Sequence, residues 1–323
     1  MMTLTEKIKF WYANSRPYSI PITFLSWLVI FCYSLKHGGN ILCGLIALVG
    51  VSLVHLATNL SDDYFDFKRL QCDRKYLDNS KEIKCRYLRS GQATIDDLRN
   101  VILLMLFVAG LCGGILFSLS GWQVILFALA VLPIALFYSK LSSFGFGDLA
   151  VILAYGPLMF EGVYFVMTKQ VSWEVLVLSI ACSMFVNTIL YAHMLMDYDE
   201  DVLSGKTTLC TICSSKDKAL KVILFFYLAG YVSIIFFSIM TGNLFYLLTI
   251  LTLPLVFDLY NLLKYYNKDK TSLPAIKLWY YPLDNWKVVS KTVNASFFVR
   301  FMFCRNISTW FMLIVCFATL FKY

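Results

Sequence analysis

Two groups of acidic residues carry the chemistry this chain can offer. The first lies in the run Asn59-Leu60-Ser61-Asp62-Asp63-Tyr64-Phe65-Asp66-Phe67-Lys68-Arg69, and the second is Asp197-Tyr198-Asp199-Glu200-Asp201. On a helix Asn59, Asp62 and Asp66 fall at i, i+3 and i+7 and share one face, with Asp63 beside it. Carboxylates this close repel one another, so something positive must hold them. Asp197 and Asp201 stand at i and i+4. Each group closes an apolar stretch and opens what reads as a polar loop. Hard divalent cations such as Mg²⁺ take carboxylate oxygens together with substrate phosphate oxygens and water. Two facing acidic groups that share a metal-bound diphosphate would account for both, with Asp62, Asp66, Asp197 and Asp201 as candidate ligands. Lys68 and Arg69 adjoin the first group and Lys206 the second. Acids alone suit a bare cation; acids mixed with bases suit a metal–phosphate complex.

Diphosphate is a good leaving group once its charge is neutralised, which Mg²⁺, Lys and Arg can do. If it leaves from an allylic chain, a carbocation remains. That cation needs a water-poor chamber and an electron-rich acceptor. Aromatic residues make up 17% of the chain, enough to line such a chamber. Most of these rings are nonetheless expected in the core, at the interface or against lipid.

The elements that must position these groups are membrane spans. Of 323 residues 59% are hydrophobic and only 15% charged, with a mean hydropathy of +0.69. Soluble domains carry about 25% charged residues. The composition therefore predicts an all-α polytopic membrane protein, one domain over 1–323, with the lipid bilayer as its solvent and no nucleic-acid partner. Nine stretches are long and apolar enough to cross: roughly 18–35, 40–60, 98–118, 122–138, 148–168, 173–196, 219–240, 243–263 and 301–321. Gly121 and Gly242 mark tight turns. The N-terminal stretch has no small-x-small cleavage site, so no cleaved signal peptide is expected. The motif-bearing loops are then 59–97 and 197–218, and a third, basic and aromatic, covers 264–300. With nine spans, 25 of the 28 Lys and Arg fall on the side of the N-terminus and of both acidic groups, leaving only Lys36, Lys169 and Lys322 opposite. The positive-inside rule places the acidic groups in the cytoplasm, on a cell inner or plasma membrane.

Other polar residues near membrane depth divide between structural and functional readings. His193 precedes Asp197 by one turn and either orients that carboxylate, contacts substrate or is a satisfied interior histidine. His55 stands in the same relation to Asn59. Glu161, well inside the fifth span after Gly156-Pro157, is protonated, paired or lines an acceptor pocket. Asp148 and Asp258 sit at span ends and read as caps or snorkelling groups. Cys210-Thr211-Ile212-Cys213 has redox spacing but no second pair, and reads as structural.

Taken together, Asn59-x-x-Asp62-Asp63-x-x-Asp66 resembles the first aspartate-rich motif of the UbiA superfamily of intramembrane prenyltransferases. Asp197-x-x-x-Asp201 followed by Gly205-Lys206-x-Thr208-Leu209 resembles the second. The run from Asn59 to Lys68 is similar to the Asn-Leu-x-Asn-Asp-Tyr-Phe-Asp-Phe-Lys signature of the MenA-type 1,4-dihydroxy-2-naphthoate polyprenyltransferases. So are Ser90-Gly91-Gln92, Tyr138-Ser139 leading to Gly145-Phe146-Gly147-Asp148-Leu149, and Tyr155-Gly156-Pro157-Leu158. The resemblance runs from about residue 55 to 210. It implies nine helices around a central cavity, Mg²⁺ as cofactor, and a polyprenyl diphosphate and a lipophilic acceptor as partners, in menaquinone biosynthesis. It implies that Asp66, Asp197 and Asp201 hold metal and diphosphate, with Asn59, Asp62 and Asp63 in support. Lys68 and Lys206 would meet phosphate; beside the resemblance, Arg69, His193, Tyr138 and Glu161 are further candidates for substrate contact. Position 62 is Asp where the family has Asn, and His193-Met194-Leu195-Met196 replaces Asn-Asn-Leu-Arg. These departures keep other readings open: transfer to a non-quinone acceptor, cyclisation, a transporter, or a non-catalytic isoprenoid-binding protein.

Overall fold

The computed structural model describes residues 3–73, 77 and 85–321. Among these, nine helical spans are long and apolar enough to cross a membrane, and they fall close to the expected stretches. An N-terminal helix α1 (Leu4–Asn14) precedes them, started by a capping box in which Thr3 and Glu6 satisfy each other's backbone N–H groups. The spans begin with α2 (Ile20–Lys36) and α3 (Ile41–Cys72), followed by α4 (Ile95–Ser120) and α5 (Val124–Ser143). The fifth span is broken into α6 (Gly147–Leu153) and α7 (Met159–Thr168). Next come α8 (Trp173–Met196), the short α9 (Tyr198–Leu203) and α10 (Lys216–Thr241). The eighth span is a 3₁₀ run, Leu244–Thr252, leading into α11 (Leu253–Lys268), and α12 (Ala295–Leu320) is the ninth. Gly121 and Gly242 end α4 and α10 with φ of +111° and +64°, so the expected turns are there.

One expectation changes. The first acidic run does not open a loop at residue 60. Hydropathy falls there, but no Gly or Pro lies between Gly50 and Gly91, and α3 continues to Cys72. The run is therefore helical throughout, and its one-face geometry is realised. The 264–300 region is likewise not a loop over its whole length. Its ends belong to α11 and α12. Between them residues 269–294 form a strap holding only the short turns Leu278–Tyr280 and Trp286–Val289.

The spans close into a ring: α3 packs along α4, α8 along α10, and α12 returns against α2. The apolar window of α8 is 72% buried, against 11% for α4 and for α5. So α8 is the inner post, while α4 and α5 are outer walls whose apolar faces point where lipid would be. The ring encloses a cavity of about 1360 Å³ lined by α1 to α9 and by Phe301 of α12.

Two packing features shape that cavity. Between α6 and α7 the chain makes a π-helical turn, Ala154–Leu158, with Gly156 at φ −107°, ψ −113° before Pro157. A side chain at Gly156 would place its Cβ 2.7 Å from Ser183 Oγ, so the break lets this span press against α8. The strap, in turn, is held by buried groups that read its backbone. Arg300 donates to Ser272 O of the strap at 3.2 Å, and to Leu262 O of α11 at 2.8 Å and Ser296 O of its own helix at 2.7 Å. Asn306 donates to Tyr280 O at 2.8 Å and Pro282 O at 2.9 Å. Asp258 is no snorkelling cap. It accepts from Lys277 and Trp279 at 2.9 Å and Tyr280 at 3.2 Å, tying the strap to α11.

Candidate active site

Both acidic groups line the mouth of this one cavity. From α3 come Asn59, Asp62, Asp63, Asp66 and Arg69; from the end of α8 and from α9 come Asp197, Glu200 and Asp201. The two helices place them because each ends at the same face. At the second group the helix breaks, with Asp197 at φ −90°, ψ 6°, yet Asp201 N still bonds Asp197 O at 2.9 Å. The i, i+4 relation thus survives the kink.

The positive partner that the first group demands is Arg16, a residue whose sequence position, 46 places away, gives no sign of it. Its Nη1 stands 3.2 Å from Asp62 Oδ2, and its Nη2 bonds Asp63 Oδ1. Asp63 is buried and also accepts from Tyr87 OH at 3.1 Å. Burial pushes the Arg16 guanidinium down, but Asp62 and Asp63 outweigh it and hold the group above its ordinary range, fully charged. Burial and then Asp63 push the Tyr87 phenol up, so it stays a donor. Arg16 itself adopts a left-handed conformation, φ 58° and ψ 54°, uncommon outside glycine and typical of strained functional positions.

Asn59 donates to Ser15 O at 3.0 Å and Ser19 Oγ at 3.1 Å, locking α3 to the start of α2. Lys206 follows the tight turn at Gly205 and brings its Nζ to 3.6 Å from Asp201 Oδ1. His193 Nδ1 stands 3.5 Å from Asp197 Oδ2, with its ring edge-on to Phe297 and Phe301 at 5.2 and 5.9 Å. Tyr138, His193 and Lys206 all line the cavity. Three further cations there, Arg16, Arg86 and Lys140, read in the sequence only as topology charges.

Two expected substrate contacts sit elsewhere. Lys68 is exposed and lies over the Tyr64 ring, 4.6 Å from its centre, on the side of α3 away from the cavity lining. Glu161 is not among the lining residues either; it accepts from Ser172 N at 3.3 Å, one helix end closing another. Asp199 also lies outside the lining. It pairs with Lys216 at 2.6 Å and with Lys270 of the strap at 3.0 Å.

The donor set suits Mg²⁺ shared with a phosphate. Among the described residues no three His, Cys, Asp or Glu groups converge to hold a metal by themselves. Magnesium asks for no such cage, being bound by one or two carboxylates with substrate phosphates and water. Hard oxygen donors on two sides of a mouth, with cations between, meet that requirement. Deeper in, the wall becomes mainly aliphatic, with Phe127, Tyr138 and Tyr155 among its rings.

Nine spans among the described residues, ringed about an apolar chamber with an acidic mouth, define a class, and sequence comparison agrees. The pattern of the UbiA prenyltransferase family matches residues 14–281, and the chain belongs to that family: it is a membrane-embedded prenyltransferase. Within the family it is similar to 1,4-dihydroxy-2-naphthoate octaprenyltransferases. That of Haemophilus influenzae is 24% identical over 64% of this chain and 70% of the relative. That of Bacillus subtilis is 24% identical over 62% and 65%, so the chain spans about two-thirds of the length of these relatives. The fold matches a UbiA homolog from Archaeoglobus fulgidus solved with DMAPP and Mg²⁺, with a TM-score of 0.60, 14% identity and coverage of 97% and 99%. It also matches the apo UbiA homolog from Aeropyrum pernix K1, with a TM-score of 0.59, 15% identity and coverage of 90% and 96%.

Proposed function

We propose that this chain, acting as a single membrane domain, transfers an isoprenoid chain from a polyprenyl diphosphate to an aromatic quinone precursor of the 1,4-dihydroxy-2-naphthoate class. The observation that carries this reading is the joint placement of both acidic groups, with Arg69 and Lys206, at the mouth of one apolar cavity. A transporter would want its charged groups near the midplane, not gathered at one end.

Asp66, Asp197 and Asp201 would hold Mg²⁺ with the diphosphate. Asp62 shares its carboxylate with Arg16 and supports the first group from beside it. The bound metal would supply Lewis-acid neutralisation of the departing diphosphate. Arg69 and Lys206 meet the outer phosphate oxygens, where negative charge grows as the allylic bond breaks. Asn59 fixes α3 against α2 so that this face keeps its register. The aliphatic wall keeps water from the allylic cation and the rings of Phe127, Tyr138 and Tyr155 stand where they can stabilise it. In this reading the mouth faces the cytoplasm, which the excess of Lys and Arg on that side supports.

The test is direct. Purified protein in nanodiscs receives labelled polyprenyl diphosphate, Mg²⁺ and 1,4-dihydroxy-2-naphthoate, and products are read by mass spectrometry. A prenylated naphthol that vanishes with EDTA is the expected result. Diphosphate release with no prenylated naphthol would move the acceptor to another class. Absence of diphosphate release from folded protein would overturn the reading.

A further inference from the structure

One wall of the cavity, unused by the metal and diphosphate assignment, carries a histidine whose tautomer its partners fix. His55 lies one turn before Asn59 on α3, toward the membrane interior. Ser19 Oγ directs its proton to Arg16 O at 2.8 Å and accepts from Asn59 Nδ2 at 3.1 Å. His55 Nε2 stands 3.0 Å from that same oxygen. The Ser19 hydroxyl has one proton and it is spent, so Nε2 is the donor and Nδ1 carries the lone pair. Tyr155 OH faces Nδ1 at 3.0 Å, and Thr23 Oγ1 lies beside both, bonded to Nδ1 and 3.3 Å from Tyr155. Tyr155 belongs to the π-helical turn, which brings its hydroxyl across from the broken span to α3. Ser19, Thr23, His55 and Tyr155 all line the cavity. A merely satisfied core histidine needs no cavity wall; an ionisable group at membrane depth that faces one is costly unless it serves.

We propose that Tyr155 and His55 dock a hydroxyaromatic acceptor and take its proton, an inference that rests on the prenyl-transfer reading. The acceptor hydroxyl donates to Tyr155 Oη. As the allylic C–O bond breaks, its electron pair leaves with diphosphate. A π pair of the acceptor ring forms the new C–C bond. The acceptor's hydroxyl proton passes to Tyr155 Oη while the Tyr155 proton passes to Thr23 Oγ1 and the Thr23 proton to His55 Nδ1. Imidazolium and the neutral keto form of the prenylated ring result, and charge and atoms balance.

His55→Gln keeps a donor for Ser19 and an acceptor for Thr23 but cannot take the proton. It should lower kcat with 1,4-dihydroxy-2-naphthoate by about 100-fold or more. KM and prenyl diphosphate binding should stay within about twofold and the thermal midpoint should hold, a pattern that general loss of structure does not give. Tyr155→Phe should weaken binding of 1,4-dihydroxy-2-naphthoate alone, titrated without diphosphate, by about tenfold, the loss of one hydrogen bond. Wild-type kcat in His55→Gln, or unchanged naphthoate binding in Tyr155→Phe, overturns the proposal. Should the wild type release no diphosphate at all, the prenyl-transfer reading falls by itself, and the naphthoate titration still decides the docking site.

Discussion

Arg16 is where the energetics of the mouth concentrate. It neutralises two carboxylates on α3 from a strained backbone position, and Asp63 beneath it is buried. Arg16→Gln should leave Asp63 with the Tyr87 hydroxyl and no cation in its place. The cost of such an uncompensated group is about 2 kcal/mol, visible as a lower thermal midpoint in detergent. Asp66→Asn acts differently. It should leave stability nearly unchanged and reduce Mg²⁺-dependent diphosphate release by about 100-fold or more; a variant of wild-type activity would remove Asp66 from the metal site. The acids were readable from their spacing alone, because i, i+3, i+4 and i+7 are properties of any helix. Arg16 and the His55–Tyr155 pair were not, because their partners lie 46 and 100 positions away and only packing brings them together. Lys68 misled for a related reason: adjacency in sequence is not a shared helix face, and its ammonium turns to Tyr64.

At the scale of elements, the spans were legible because hydropathy and length suffice to find them. Their ends were less so. α3 runs twelve residues past the expected boundary at 60, since a helix needs backbone hydrogen bonds and no breaker, not apolar side chains. The break in the fifth span was visible as Gly156-Pro157, but not its purpose. Because a Cβ at Gly156 would meet Ser183 Oγ at 2.7 Å and Ser183 Cβ at 2.9 Å, Gly156→Ala should force the span away from α8. Overpacking of this kind costs about 1–3 kcal/mol. Since Tyr155 is its neighbour, naphthoate prenylation should fall as well. Ser183→Gly in the same chain should restore both the thermal midpoint and activity in part; no recovery would mean that the contact with α8 is not the cause.

For the whole molecule, two measurements follow. Cys72 is an exposed cysteine at the motif-bearing end of α3. A membrane-impermeant maleimide should label it in inside-out vesicles and spare it in right-side-out ones; the reverse would invert the cytoplasmic assignment. The second concerns Asp199, which joins α9, α10 and the strap. Burial pushes its carboxyl up, but hydrogen bonds and charge from Lys216 and Lys270 outweigh that and hold it below the usual range. A depressed folded value contributes stability above the unfolded pKa, about 3.9, and that contribution is lost as pH falls through the folded value. The wild-type thermal midpoint should therefore drop more steeply below about pH 4 than that of Asp199→Asn, and high salt should narrow the difference.

The strap's anchoring carries one more consequence, for how this sequence can change over time. Arg300 and Asn306 grip the strap by the carbonyls of Ser272, Tyr280 and Pro282, groups that every amino acid possesses. Where the strap is held by its main chain it places little demand on side chains, so Leu278, Val288 and Val293 are free to drift, while Lys270, Lys277, Trp279 and Tyr280 keep their ties to Asp199 and Asp258. The family pattern stops at residue 281, inside that segment, although the solved relative from Archaeoglobus fulgidus follows 97% of this chain. Shape there outlasts spelling. A library randomised at Leu278, Val288 and Val293 should yield mostly folded protein, whereas one randomised at Arg300 and Asn306 alone should yield little.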